Sequence, residues 1–544
     1  RGRAAAGALV GAALVWVLWP LHDPTVGYDG ISYHMPEILG WVWSGHPGAV
    51  HSVSYLFPFP NYPITNEVAL TWLTSVSRGF AAAAVWTPLL HVLLALAGWL
   101  GLRRLAVPRL PAGLAVAALC LMPLTVLQVN SPSTDLAGLT WCVCAAALAA
   151  AGARNPRLLP FAVVAGGLAT GTKTSTVPLT AIAVGAGLYA ARRSLRGLVR
   201  PLGIAALAAV AVGGVWYLRN LADHGGPLYP FVKTPGSDPP APIWRLLHPS
   251  FLDRPEETLR GRGHLYVDLL GGGLVLLVSA AVLPALVRAR AVLLAAGAAA
   301  VAVLLWAKAP STGVPDVAVL TPNVAGTTRY ALPALAAVAL VSAVAATAGR
   351  RAALLAGAAL AAAVGWNLVK LAGIGAPQVP PLGWIALAAA AGAAAAVALR
   401  AVPLGGRLAG AQVAAVAVLA GLALGQQAGG YVQRLTPNAT FFPSASVVSW
   451  FNARPGFQDD TRPISMAGQL VSPLAGNRLS HKLSLIPADE PCPAIRARAS
   501  RGWVVVADDR LLQTLVRVPG IACFGGVRPA YTTGSVRVFG GGGS

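Results

Sequence analysis

Residues 103–157 read RRLAVPRLPAGLAVAALCLMPLTVLQVNSPSTDLAGLTWCVCAAALAAAGARNPR. Two apolar runs, 111–128 and 134–152, lie between arginine-rich ends, and the short connection between them has no basic residue. An apolar run of about 20 residues can cross a bilayer as a helix, and arginine collects in cytoplasmic loops. This stretch therefore predicts a hairpin of two membrane-spanning helices whose arginine-rich ends face the cytoplasm.

The same alternation continues along the chain and predicts about thirteen spanning helices. The predicted spans are 4–21, 82–102, 111–128, 134–152, 157–172, 174–191, 200–218, 267–287, 291–307, 330–348, 352–372, 382–399 and 408–425. Each loop on the N-terminal side of the membrane contains arginine: Arg103, Arg104 and Arg109; Arg154 and Arg157; Arg192, Arg193, Arg196 and Arg200; Arg288 and Arg290; Arg350 and Arg351; Arg400 and Arg407. The N-terminus is therefore predicted to be cytoplasmic. Three long segments are then outside: the first (22–81), the second (219–266) and the third (308–329).

Composition supports the bilayer as the solvent of this chain. Of its 544 residues, 56% are hydrophobic and 11% are charged, whereas a soluble protein carries roughly 25% charged residues. The net charge of +22 would suggest nucleic acid binding in a soluble chain. Here most basic residues flank apolar runs, so the charge is explained by membrane orientation and no nucleic acid partner is expected.

The C-terminal part has a different composition. We predict an all-α polytopic membrane domain over 1–429 and a small extracytoplasmic α/β domain over 430–539, followed by a linker scar at 540–544. The predicted strands lie within 463–468, 477–486, 503–509 and 535–539, and the predicted helices within 444–453 and 509–518. Cys492 and Cys523 could pair in an exported compartment, or could remain buried thiols.

The first long segment is too polar for a span and too aromatic for a free linker. Its Pro36–Ser44 stretch includes Trp41 and predicts a short helix along the membrane surface. Asp29, Tyr33 and His34 come just before this helix, so a carboxylate is expected at the membrane face.

Five motifs resemble those of the bacterial GT-C superfamily of integral-membrane glycosyltransferases. They are YDGISYHMPEILGWVWSG (28–45), YPITNEVALTW (62–72), GLATGTKTST (167–176), WYLRNLADHGGPLYP (216–230) and TTRYALP (327–333). They occur in the order expected for the family, each at a predicted outer membrane face. In one departure, Gly30 follows Asp29 where many relatives have a second acidic residue. A metal is therefore possible but not supported, and no metal ligand is assigned.

This resemblance implies a GT-C-like fold in a bacterial plasma membrane. It also implies transfer of a sugar from a polyprenyl-phosphate donor to a glycan, lipid or protein acceptor at the outer face. Direct displacement would invert the anomeric centre and needs one base to deprotonate the acceptor hydroxyl. Asp29 is the preferred base. Alternatively, Asp29 caps the following helix or pairs with an arginine.

The other catalytic candidates are His34 and Glu67. His34 could be the base, could orient Asp29, or could pack on Trp41. Asp135 begins a predicted span, where a helix dipole would also favour an acidic residue.

Cations are needed to stabilise the departing phosphate. Lys173, Arg219 and Arg329 are the candidates for this role, and the predicted substrate-binding residues are Tyr33, Asp135, Lys173, Arg219, Asn220, Arg329 and Tyr330. An interfacial cation usually has a partner, so a functional anion is one interpretation of Lys173, Arg219 and Arg329. Snorkelling, or pairing with Asp29, Glu67 or Asp135, is the other.

Two further classes of function remain open. One is a transporter or flippase for lipid-linked sugars, although acidic residues are nearly absent from the interiors of the predicted spans and no internal repeat is evident. The other is a non-catalytic envelope assembly protein whose C-terminal domain binds a partner.

Overall fold

The computed structural model describes the chain except for residues 1, 28, 50–51, 56–57, 131, 240–249, 253–254, 256–262, 310–327, 376–378, 402–429, 439–443, 508–520, 535 and 541–544. Most of the described residues are helical, with a small C-terminal sheet. The helices up to residue 401 are Gly2–His22, Met35–Ser44, Thr65–Ser77, Ala81–Arg104, Arg109–Cys120, Pro123–Val126, Thr134–Gly152, Leu159–Thr172, Val177–Ala190, Val199–Ala209, Val215–His224, Gly263–Leu270, Gly273–Val287, Arg290–Lys308, Leu332–Ala345, Arg350–Ile374 and Leu382–Ala401. π-Helical turns at Gly30–His34 and Val210–Gly214 interrupt this α-helical framework.

Five described helices are long and apolar enough to cross a membrane: Ala81–Arg104, Thr134–Gly152, Arg192–His224, Arg290–Lys308 and Arg350–Ile374. A sixth span results if Gly263–Leu270 and Gly273–Val287 are taken together. Several shorter apolar helices coincide with other predicted spans, whereas the run at 408–425 lies outside the described residues. The chain is thus helical and membrane-spanning, and the count of about thirteen stays a prediction.

Three predicted spans differ from the structure in their course. The run 111–128 ends as a regular helix at Cys120, because Pro123 lacks the backbone N–H that would continue it. The run 267–287 bends by 84° after Leu270, where Gly271 adopts a positive φ of 49°. The helix beginning at Val215 continues to His224, beyond the predicted boundary at 218.

Five strands form the C-terminal sheet region, which we define as residues 464–540. They are β1 (Ile464–Met466), β2 (Leu483–Leu485), β3 (Trp503–Ala507), β4 (Tyr531–Thr533) and β5 (Val536–Gly540). Their order is β2-β1-β3-β5-β4, with β1 parallel to β2 and β3, and β5 antiparallel to β3 and β4.

The sheet region agrees with four predicted strands and adds two elements that were not predicted. These are β4 and the helix Cys492–Arg501, whose first residue forms a disulfide with Cys523. Gly540 was assigned to the linker but pairs with Trp503 as the last residue of β5. Helices Tyr431–Asn438 and Ser444–Asn452 precede the sheet. The predicted helix at 509–518 lies outside the described residues.

One apolar core joins the sheet region to the first long segment. Ile31, Ile38 and Leu39 are buried in the same cluster as Leu474 and Trp503. The helix Met35–Ser44 was predicted to lie on the membrane surface, but the face carrying Ile38 and Leu39 is buried inside the protein. Burial of this face follows from the apolar surface that the sheet region offers it.

Candidate active site

The site begins at the π-helical turn Gly30–His34, which follows Asp29. Gly30 fits a tight position, since a Cβ there would approach Val26 and Pro132 to within 2.6 and 2.8 Å. The turn leads into helix Met35–Ser44, with Pro36 in the first helical turn, where its missing N–H costs nothing. Asp29 makes no side-chain capping bond, so its carboxylate is not used as a helix cap.

Four charged side chains form the ionic cluster: Asp29, Asp135, Lys173 and Arg329. Arg329 Nη1 forms an ion pair with Asp29 Oδ2, and its Nε lies 3.3 Å from Asp135 Oδ2. Lys173 Nζ lies 3.0 Å from the other oxygen of Asp135. Asp135 is 3% exposed, whereas the other three are about one-fifth exposed. The cluster therefore combines one buried carboxylate, Asp135, with three charged side chains that are more accessible to solvent.

The chain brings these residues together from separate segments. Asp135 lies in the first turn of helix Thr134–Gly152, and Lys173 follows the end of helix Leu159–Thr172. Gly138 permits their approach, because a Cβ at that position would lie 2.8 Å from Lys173 Cβ. Arg329 begins the turn that leads into helix Leu332–Ala345. Helix ends thus supply three of the four charges.

Aromatic rings flank the ionic cluster. The Lys173 ammonium lies 4.7 Å from the centre of the Tyr330 ring, and the Arg329 guanidinium lies 5.5 Å from it. Tyr33 stacks on Phe59 with ring centres 3.7 Å apart. The faces of aromatic rings attract cations, and they can line a binding site without forming an ion pair with the ligand.

The pKa values of Asp29 and Tyr33 reflect this environment. Burial acts to raise the pKa of Asp29, but the charge and hydrogen bond of Arg329 bring it below the ordinary value. Burial, followed by the charge of Asp29, raises the pKa of the Tyr33 hydroxyl well above its ordinary value. At neutral pH, Asp29 is therefore a carboxylate held by Arg329, and Tyr33 keeps its proton.

His34 and Glu67 form a second buried pair. His34 Nδ1 hydrogen-bonds to Glu67 Oε1, and both side chains are almost completely buried. The His34 ring lies against Tyr33, with ring centres 4.1 Å apart, and Trp41 is buried with Ile64 and Trp216. The pair links the turn Gly30–His34 to helix Thr65–Ser77.

Arg219 and Asn220 have different surroundings from the ionic cluster. The Arg219 guanidinium lies 5.2 Å from the Trp216 ring centre and donates to Asn220 Oδ1 at 3.3 Å. Two of its nitrogens, Nε and Nη1, are buried with no hydrogen-bond partner among the described residues. Asn220 Nδ2 donates to the carbonyls of Asn61 and Tyr229, each at 2.8 Å. Asn220 thereby holds backbone of the first and second long segments.

The structure adds one polar neighbour that sequence reasoning missed. Thr134 Oγ1 lies 3.4 Å from Lys173 Nζ. The sequence signal that points to Thr134 is its position immediately before Asp135. Within the described part of the chain, no three His, Cys, Asp or Glu side chains form a group that would hold a metal ion.

No family model and no curated protein sequence matches this chain. Among solved structures, it is similar to two crystal structures of ArnT from Cupriavidus metallidurans, one bound to undecaprenyl phosphate and one in the apo state. Both alignments cover 98% of this chain, with 97% and 96% of the respective ArnT chains, at 15% identity and TM-scores of 0.47 and 0.46. A likeness at this level carries no functional argument.

Proposed function

We propose that this protein is a membrane glycosyltransferase of GT-C type that moves a sugar from a polyprenyl-phosphate donor to an acceptor hydroxyl. The observation that carries the proposal is the ionic cluster, in which two cations, two carboxylates and Tyr330 converge at helix ends. Lys173 and Arg329 suit a phosphate, and Asp29 suits the proton of an attacking hydroxyl. The five motifs that resemble the family include three of the four charged residues of the cluster, namely Asp29, Lys173 and Arg329.

The reaction is a single displacement at the anomeric carbon. The acceptor oxygen forms a bond to that carbon as the bond from the carbon to the phosphate oxygen breaks. Asp29 takes the hydroxyl proton, and the polyprenyl phosphate leaves with the electron pair. Lys173 and Arg329 stabilise the negative charge that develops on the leaving oxygen. One displacement inverts the anomeric centre.

Arg329 connects donor binding to the base. Arg329 is shared between Asp29 and Asp135. A donor phosphate that draws the guanidinium toward itself weakens its hold on Asp29. The pKa of Asp29 then rises, since Arg329 makes the largest contribution to lowering it, ahead of His34 and Lys173. Asp29 becomes a better base when the leaving group is in place.

The remaining assignments are part of the same proposal. Residues 1–429 form the transferase domain, residues 430–539 form an extracytoplasmic domain, and the reaction takes place at the outer face of the plasma membrane. His34 and Glu67 support the turn that carries Asp29, while Tyr33, Arg219, Asn220 and Tyr330 border the donor. The basic loops of the predicted hairpins support this orientation.

The test uses the full-length protein purified in detergent and a panel of undecaprenyl-phosphate sugars labelled in the sugar. Lipid extract from bacterial membranes serves as the acceptor. We expect one donor to release undecaprenyl phosphate and to transfer its label to an acceptor with inverted anomeric configuration. Flipping of donor between leaflets of a proteoliposome, without cleavage of any donor, would instead establish the transporter class.

A further inference from the structure

A short antiparallel pairing joins the first long segment to the loop after β1. The N–H of Tyr55 donates to the carbonyl of Gly468 at 3.1 Å, and the N–H of Leu470 donates to the carbonyl of Val53 at 3.0 Å. The Tyr55 hydroxyl also donates to the carbonyl of Ile486, just after β2. Backbone pairing of this kind fixes one segment against the other without depending on side-chain identity.

Gln469 lies in the middle of this pairing and extends it to the candidate active site. Its backbone forms the bridge to Ser54, and its Nε2 donates to the carbonyl of Ser32 at 3.3 Å. Ser32 is the central residue of the π-helical turn Gly30–His34, between Asp29 and Tyr33 in sequence. The side chain of Gln469 therefore holds the turn that presents the proposed base.

Apolar packing reinforces the same contact. After Gln469, the chain forms a 3-10 turn at Ser472–Ala475, whose Leu474 is buried with Ile31 and Tyr33. The turn Gly30–His34 is thus packed by the sheet region and hydrogen-bonded to it. π-Helical turns are rare and are frequently found at functional sites.

From these contacts, we propose that the C-terminal sheet region contributes to the active site by holding the turn that carries Asp29, and that Gln469 is the positioning residue for this turn. The catalytic part of this inference rests on the proposed function. Asp29 must meet Arg329, which comes from a segment 300 positions away, so a small displacement of the turn changes their pairing. A misplacement of about 1 Å can reduce turnover by up to about 100-fold.

The test compares variants of Gln469 in the full-length protein. Gln469→Glu keeps the shape of the side chain but lacks the N–H donor, and Gln469→Met lacks both polar atoms. Gln469→Lys retains a donor of similar reach. Gln458→Glu is the matched control, because Gln458 donates to Asn452 at 3.0 Å and accepts from Asn477 within the C-terminal part. Among the described residues, these side-chain hydrogen bonds of Gln458 lie within the C-terminal part.

The first measurement is amide hydrogen exchange. We expect residues 30–34 to exchange at least about tenfold faster in Gln469→Glu and Gln469→Met than in the parent, as local opening becomes easier. Gln469→Lys and Gln458→Glu should retain parental exchange there. Equal exchange in all variants overturns the tether, and this readout does not require transferase activity.

The second measurement is single-turnover transfer. We expect Gln469→Glu to slow transfer about ten- to a hundred-fold while donor Kd changes less than about twofold. In an Asp29→Asn background, the same substitution should have no further effect on the rate. An undiminished rate, or a loss of donor affinity alone, overturns the positioning role. A parent inactive with every donor would instead contradict the proposed function and leave the exchange result to decide the tether.

Discussion

The ionic cluster and the surroundings of Arg219 both present cations, but they differ in charge balance. Lys173 and Arg329 face two carboxylates at ion-pairing distance, so the cluster is formally neutral. Arg219 donates to a neutral amide and lies over a tryptophan ring, with Glu37 and Asp223 acting on it through charge. Two of its buried nitrogens have no hydrogen-bond partner among the described residues.

This difference separates two ways of binding a phosphate. A phosphate at Arg219 accepts hydrogen bonds from guanidinium N–H groups that are already in place. A phosphate in the ionic cluster must compete with a carboxylate for Arg329, and this competition changes the released carboxylate. We therefore expect Arg219 to act on donor affinity alone, and Arg329 to act on both affinity and the proton transfer.

Arg219 and Arg329 can contact the same donor only if both lie on the same side of the membrane. A reporter fused after Ser446 should be active only outside the cytoplasm, and one fused within 193–199 only inside, an all-or-none difference. Activity of both fusions on one side would contradict the predicted thirteen-span topology.

The largest kinetic effect is expected at Asp29. Asp29→Asn keeps the size of the side chain but cannot accept the proton, so single-turnover transfer should fall by roughly 10²–10⁴-fold. Donor affinity should hold or increase, because Arg329 is freer to bind the phosphate. Both quantities are measured on the same purified protein, with donor at saturation for the rate.

The matched control is Asp268→Asn, since Asp268 pairs with Lys370 at 2.7 Å outside the ionic cluster. Its turnover should stay near the parent's. If Asp29→Asn fails to accumulate, the double variant Asp29→Asn/Arg329→Gln removes both partners of the ion pair. Its rate is then compared with that of Arg329→Gln, so that the loss of Arg329 is common to both and the remaining difference reports Asp29. Near-parental transfer by a folded Asp29 variant would move the search for the base to Glu67 and Asp135.

Arg219 and Arg329 should differ in their coupling to Asp29. Each substitution by Gln should weaken donor binding about ten- to a hundred-fold, equivalent to about 1.5–3 kcal/mol for a charge-assisted contact. In the Asp29→Asn background, Arg329→Gln should cost more donor affinity, because Arg329 there no longer has to leave the Asp29 carboxylate to bind the phosphate. Arg219→Gln should cost the same in both backgrounds. Donor titrations of the four single and double variants and their two parents measure this, and equal coupling would erase the distinction.

Sequence reasoning located the parts of the candidate site, because its signals are local. Proline and glycine around Asp29, a lysine between two apolar runs and an arginine opening a run identify helix ends without any knowledge of packing. The choice of partners is not local. Asp135 forms ion pairs with both Lys173 and Arg329, and Asp29 forms one with Arg329. The sequence separations between these partners follow no periodicity. Gln469 lies 437 positions from Ser32 and follows no motif.

The fold shows the same limit. Hydropathy identifies an apolar run but not its course, so the break before Pro123 and the 84° bend after Leu270 were missed. The short helix with Trp41 was assigned to the membrane surface because its apolar face is compatible with lipid. That face is instead covered by the sheet region, whose contribution becomes visible only in three dimensions.

The smallest effects are expected at the His34–Glu67 pair. His34→Ala and Glu67→Gln each change one partner of the buried hydrogen bond that joins the turn Gly30–His34 to helix Thr65–Ser77. Because neither residue takes the proton in the proposed reaction, each should slow transfer by at most about tenfold, well below the effect of a lost base. Thermal stability should fall more in His34→Ala, which leaves the buried Glu67 carboxylate without this partner, than in Glu67→Gln, whose amide can still hydrogen-bond to His34. The same single-turnover assay decides the matter, with unfolding followed in parallel. A loss at His34 or Glu67 as large as that at Asp29 would reassign the base to this pair, and would leave Asp29 as the partner that holds Arg329.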